Sequence, residues 1–153
     1  MICNPEALVE EFISLISLTG DKLDRKQIKI EKLPAPHIQP KYLPEGKMAV
    51  YIFMWKDTCL KVGKASHQTE HRFTVQSYNP ASAPSTLAKY LLNDPEMRQT
   101  VIAGKLPVKE WVTTNCERVN LLMDESLGKY FLNLLEAFIQ YKLKPRYVMK
   151  DDD

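Results

Sequence analysis

The stretch from Met48 to Gly63, MAVYIFMWKDTCLKVG, constrains this chain more than any other. An apolar run rich in β-branched and aromatic residues stops at Lys56 and Asp57 and resumes at Thr58, the pattern of two strands in a hairpin. In the second strand Lys61 stands between Leu60 and Val62, which a regular strand points to the opposite face. An unpartnered ammonium in a packed core is costly, so the lysine's face is either solvated or has a use for charge. Hairpin register decides which residues share that face. A three-residue connection, 56 to 58, pairs Trp55 with Cys59 and Tyr51 with Gly63, bringing Tyr51 and Lys61 to one side. A two-residue connection pairs Tyr51 with Val62 and sends Lys61 to the other side, because a slip of one residue exchanges the faces.

Asn4 and Pro5 open a helix before the hairpin, with Leu8, Phe12, Leu15, Ile16 and Thr19 on one face and Gly20 at its end. Between Asp21 and Gly46, Pro34, Pro36, Pro40 and Pro44 indicate an extended arm with room for a short strand at Ile28 to Leu33. After the hairpin, Ser66 to Tyr78 reads as helix. Ser85 caps a helix through Leu92, Asp94 and Pro95 open one that stops at Gly104, and Pro107 to Thr113 adds a short helical turn. Arg118 to Met123 reads as a third core strand. Leu127, Tyr130, Phe131, Leu134, Leu135, Phe138 and Ile139 then recur at helical spacing. Strands do not alternate regularly with helices, so the expected class is α+β: a small, mostly antiparallel three-stranded sheet flanked by helices. The expected division is an N-terminal helix and arm over 1–46 and a core domain over 47–150.

The 153 residues suffice for one independent core. No apolar run reaches the roughly 18 residues of a membrane span, and three cysteines without CxxC spacing signal neither a disulfide framework nor a zinc site. A reducing, cytoplasmic setting is expected. The formal net charge of +2 is compatible with a polyanion partner without requiring one.

Two further positions bear on chemistry. Arg72 follows the hairpin on the next predicted helix, and Glu136 flanks the apolar stripe of the last one. His67 and His71 lie four apart but read as an exposed helical pair. The pieces AVYIF (Ala49 to Phe53), LKVGKA (Leu60 to Ala65), Arg72 and LLEAFIQYKLKP (Leu134 to Pro145) together resemble the GIY-YIG nuclease superfamily over Met48 to Tyr147. The resemblance implies a small antiparallel sheet among helices and assigns catalytic roles to Tyr51, Lys61, Arg72 and Glu136. In it Gly63 closes the second motif, and Glu136 binds one divalent metal, Mg²⁺ or Mn²⁺. Lys61 replaces the usual second-motif tyrosine, as in some restriction endonucleases of the superfamily. Gln76 stands where many members carry histidine, and the usual terminal asparagine is not evident.

Chemically, Tyr51 is expected to act as base, helped by the Lys61 ammonium, which favours the phenolate. Arg72 offers a planar fork to phosphate oxygens, and Glu136 holds the metal against the leaving oxygen. Lys64 and Gln76 are expected to touch substrate. Lys56, Lys64 and Arg72, with Lys142, Lys144, Arg146 and Lys150 at the far end, sketch a broken basic rim. The expected function is a metal-dependent DNA endonuclease serving restriction, defence or a mobile element, with a homodimer or partner subunit engaging the N-terminal helix. The alternative is a non-cutting nucleic-acid-binding or protein-interaction module on the same fold.

Overall fold

The computed structural model describes residues 3–81 and 86–148. Helix α1 (Pro5–Ser17) begins where the Asn4 side chain accepts a hydrogen bond from Ala7 N at 3.1 Å. It buries Leu8, Val9, Phe12 and Ile16. Strands β1 (Lys29–Leu33), β2 (Lys47–Trp55), β3 (Thr58–Ala65) and β4 (Glu117–Asp124) form one antiparallel sheet in the order β1-β4-β2-β3. Helices α2 (Leu87–Asn93), α3 (Pro95–Ala103) and α4 (Val108–Asn115) precede β4, and α5 (Lys129–Leu143) follows it.

The α+β class therefore stands, but the sheet has four strands where three were expected. The added strand, β1, comes from the proline-flanked arm. Its Glu31 pairs with Asn120 and its Leu33 with Arg118, so β4 is central. Ser66 to Tyr78 also departs from the expected helix. It forms a 3₁₀ turn over His67–Thr69 and a π-helical turn over Arg72–Gln76. The expected cap Ser85 and the rim residue Lys150 lie outside the described residues, and Thr86 caps α2, its hydroxyl accepting from Lys89 N at 3.1 Å.

Alternation along β2 and β4 divides the interior. Val50, Ile52 and Met54, with Val119, Leu121 and Met123, face α1 and α5, where Phe12 meets Phe131 and Phe138 at ring separations of 5.5 and 5.4 Å. The apolar stripe of α1 is thus packed within the chain. Ala49, Tyr51, Phe53 and Leu122 face a second cluster with Phe73, Tyr78, Leu87, Leu91, Trp111 and Val112. The last described residues close on β3, Arg146 N donating to Cys59 O (2.9 Å) and Tyr147 N to Leu60 O (3.0 Å).

The hairpin adopts neither connection considered from sequence in pure form. Its loop has two residues, since Trp55 pairs with Thr58, and Lys56 takes a left-handed φ of 52°. Met54 then pairs with Cys59 but Phe53 with Lys61, so Leu60 is the extra residue of a β-bulge. The bulge restores the register Tyr51 to Gly63. It also corrects the expected alternation: Leu60 joins the cluster of Tyr51 and Phe53, whereas Val62 joins the opposite one.

Candidate functional site

On the second face of the sheet, two cross-strand rows run side by side. One is Gly63, Tyr51, Asn120 and Glu31, and the other is Lys61, Phe53, Arg118 and Leu33. The bulge places Tyr51 and Lys61 on this shared face. A Cβ added at Gly63 would lie 2.5 Å from both Cζ and the hydroxyl oxygen of Tyr51, so only glycine leaves room for that ring. This gives the glycine of the KVG triplet a steric reason.

Lys61 is 2% exposed, and so is Tyr51. The Lys61 ammonium lies 3.5 Å from Ser77 Oγ and 5.7 Å from the centre of the Tyr51 ring. The fully buried Ser77, next to the Lys61 ammonium, also acts to lower the Tyr51 phenol, so its hydroxyl stands near both motif residues. Burial pushes the Tyr51 phenol up to about 12. Of the groups that pull it back, the Arg118 charge is the strongest, followed by the Ser77 hydrogen bond. The Glu136 carboxylate raises it further and the Arg72 guanidinium lowers it. The charges of Arg72 and Glu136 therefore both reach the Tyr51 hydroxyl. The expectation of a Tyr51 phenol lowered by neighbouring charge is corrected: desolvation outweighs the cations, and the chief opposing cation is Arg118.

Arg72 begins the π-helical turn and lines a cleft of about 670 Å³ between the end of β3 and the start of α5. Lys64 and Lys129 line it too, against the single acid Glu125, with Ser66 and Thr69 supplying hydroxyls. Tyr51, Lys61 and Glu136 are not among its walls. Lys64 joins the two regions, donating to Asn133 Oδ1 at 2.8 Å and lying 3.6 Å from Glu136 Oε1. Gln76 closes the π-helical turn and is half-buried, while His67 and His71 are exposed. At the far end, Lys142 is paired with Glu11 (2.7 Å), and Arg146 with Asp94 (2.7 Å) and Glu96 (3.2 Å). Those cations face acids of the chain itself.

Among the described residues no three His, Cys, Asp or Glu side chains gather as a metal site. A divalent cation at Glu136 would thus have one half-buried carboxylate from the protein. That suits Mg²⁺, which commonly takes one or two carboxylates and completes its shell with water and substrate phosphate.

Sequence reasoning missed the most elaborate feature of this face. Arg118 is 0% exposed and donates to Asn120 Oδ1 (2.8 Å), Tyr78 Oη (3.0 Å) and Phe73 O (2.8 Å). Its guanidinium carbon lies 4.5 Å from the centre of the Phe73 ring and 5.1 Å from those of Tyr51 and Phe53. Asn120 in turn donates to Glu31 Oε1 at 2.8 Å. Because Cys116 O can only accept, His37 Nδ1, 2.7 Å away, carries that ring's proton, leaving Nε2 to accept from Tyr78 Oη at 2.8 Å. The relay thus runs from Arg118 through Tyr78 to His37 on the arm. The signal was phase: Arg118 and Asn120 alternate with Val119 and Leu121, so one pair of polar side chains had to face into the protein.

Compared with protein-family models, curated proteins and solved structures, the chain has no significant match to any, so the GIY-YIG resemblance rests on these residues alone.

Proposed function

We propose that the protein is a metal-dependent endonuclease of the GIY-YIG type, hydrolysing phosphodiester bonds of DNA in the cytoplasm in a restriction, defence or mobile-element setting. The observation that carries this reading is the pairing of Tyr51 with Gly63, which gathers Tyr51 and Lys61 on one face within reach of the charges of Arg72 and Glu136.

Arg72, Lys64 and Lys129 would receive the phosphate chain in their cleft, Arg72 by its two-pronged geometry. Tyr51 would take the proton of the attacking water, with Ser77 beside its hydroxyl and the Lys61 ammonium 3.5 Å from Ser77 Oγ. Burial chiefly holds the phenol protonated and the Glu136 carboxylate adds to it, so neutralising that carboxylate removes part of the opposition to the base form. Glu136 would hold the Mg²⁺, which supplies Lewis-acid stabilisation of the leaving oxygen when bound. Among the described residues no helix is long and apolar enough to cross a membrane. A second copy or partner subunit would meet α1 on its outer side, where Leu18 is exposed.

A second reading, a nucleic-acid-binding or protein-interaction module that does not cut, is favoured by the burial of Tyr51 and Lys61. Incubating the purified protein with plasmid and single-stranded DNA, in Mg²⁺ or in EDTA, separates the two. Cutting only with metal, and lost in Tyr51→Phe, supports the endonuclease. Binding without cutting under every condition supports the second reading.

A further inference from the structure

Arg118 has a pattern of contacts that a core-filling residue does not need. A buried guanidinium is expensive unless its donors are matched, and hydrocarbon of the same volume would fill the space more cheaply. Here the three acceptors of its hydrogen bonds are neutral: an amide oxygen, a phenol and a main-chain carbonyl. Its charge is therefore not cancelled by a direct carboxylate bond, and the nearest acid in the chain of contacts, Glu31, is reached only through Asn120.

Its ring contact with Tyr51 and its bond to Phe73 O lead to the candidate site. The guanidinium lies against the Tyr51 ring. Phe73 O belongs to the π-helical turn that begins with Arg72, and the next carbonyl, Thr74 O, accepts from Gln39 of the arm at 2.6 Å. A π-helical turn bonds its carbonyls less regularly than an α-helix, and here two of them are held from outside it. Tyr78 lies just beyond the same turn, two residues after Gln76.

We infer that Arg118 is a positioning residue for the proposed phosphodiesterase site: it holds the Tyr51 ring from one side and fixes the turn that presents Arg72. The inference rests on the proposed function for the reaction served, but its structural content can be measured without substrate. The fall of the Tyr51 phenol toward its ordinary value under the Arg118 charge is a corollary.

The test places a fluorinated tyrosine, whose phenol ionises at lower pH, at position 51 and titrates it in the parent and in Arg118→Met. The variant is expected to lower the acid ionisation constant of that phenol at least about tenfold, since a buried cation facing it is lost. An unchanged titration in folded Arg118→Met overturns the inference. If that variant does not fold, Arg118→Lys carries the test through amide hydrogen exchange, because lysine keeps a charge but loses the fork. Exchange raised about tenfold or more at 73–78, with β1 and the α1–α5 layer unchanged, supports the inference. Exchange raised equally throughout marks ordinary core filling and overturns it. Failure of the parent to cut DNA would defeat the nuclease reading while leaving the titration and exchange results as measured.

Discussion

Gly63 lies directly beneath the ring of Tyr51, closer than any side chain at position 63 could permit. The ring is itself enclosed by Phe53 and Phe73, with centroids 6.1 and 6.3 Å away, so it has nowhere to retreat. Gly63→Ala should therefore lose about 1–3 kcal/mol to overpacking. The loss should shrink in a Tyr51→Leu background, and denaturant unfolding of the four proteins of this cycle checks it. Equal losses in both backgrounds would locate the strain elsewhere.

Lys61→Met keeps the length and most of the stem of the lysine while removing its charge. The fold and DNA affinity should persist while cleavage falls at least about 100-fold, the lower range for a group assisting proton transfer. Rates measured at saturating DNA test this. A parental rate would show that Lys61 serves packing alone.

Glu136→Ala should fold, because alanine is the best helix former and position 136 is on the flank of α5. It should abolish both cleavage and Mn²⁺ binding, the latter read by paramagnetic broadening. Undiminished broadening would move the metal away from Glu136.

His37 ties the arm to the core. Burial, aided by the Arg118 charge and opposed by the bond to Cys116 O, holds its imidazole below the ordinary 6.5. The unfolded chain therefore binds the extra proton first. The contribution of neutral His37 is complete above 6.5 and is lost as pH falls from there through the lower folded value. Stability by denaturant unfolding should accordingly decline as pH falls below 6.5. His37→Gln should flatten that decline, and an equal slope in the variant would assign it to other groups.

Much of this architecture was legible because local signals agreed with it. Asn4 and Pro5 mark the start of α1, Asp94 and Pro95 that of α3, and the apolar repeat from Leu127 marks α5. The β1–β4 pairing was not, since Glu31 and Asn120 are far apart in the chain and nothing local to Lys29–Leu33 names its neighbour. The bulge was also hidden: no residue type distinguishes Leu60 as unpaired, yet it alone reconciles a two-residue loop with the Tyr51 to Gly63 pairing. The roles proposed for Tyr51, Lys61, Arg72 and Glu136 rest on the motif resemblance. Arg118 and His37 escaped because their partners are fixed only when arm, sheet and π-helical turn meet.

Strand β3 is the outermost strand on its side of the sheet, and such a border offers free amides and carbonyls to any extended chain nearby. Here Arg146 and Tyr147 occupy the carbonyls of Cys59 and Leu60, and Gln140 Nε2 reaches Val62 O at 3.5 Å. Asp94 locks this cover in place through Arg146 Nε and the Tyr147 hydroxyl, each at 2.7 Å. The segment that follows α5 thus occupies carbonyls of the border strand that would otherwise be open to pairing with another extended chain, separately from any chemistry at Tyr51.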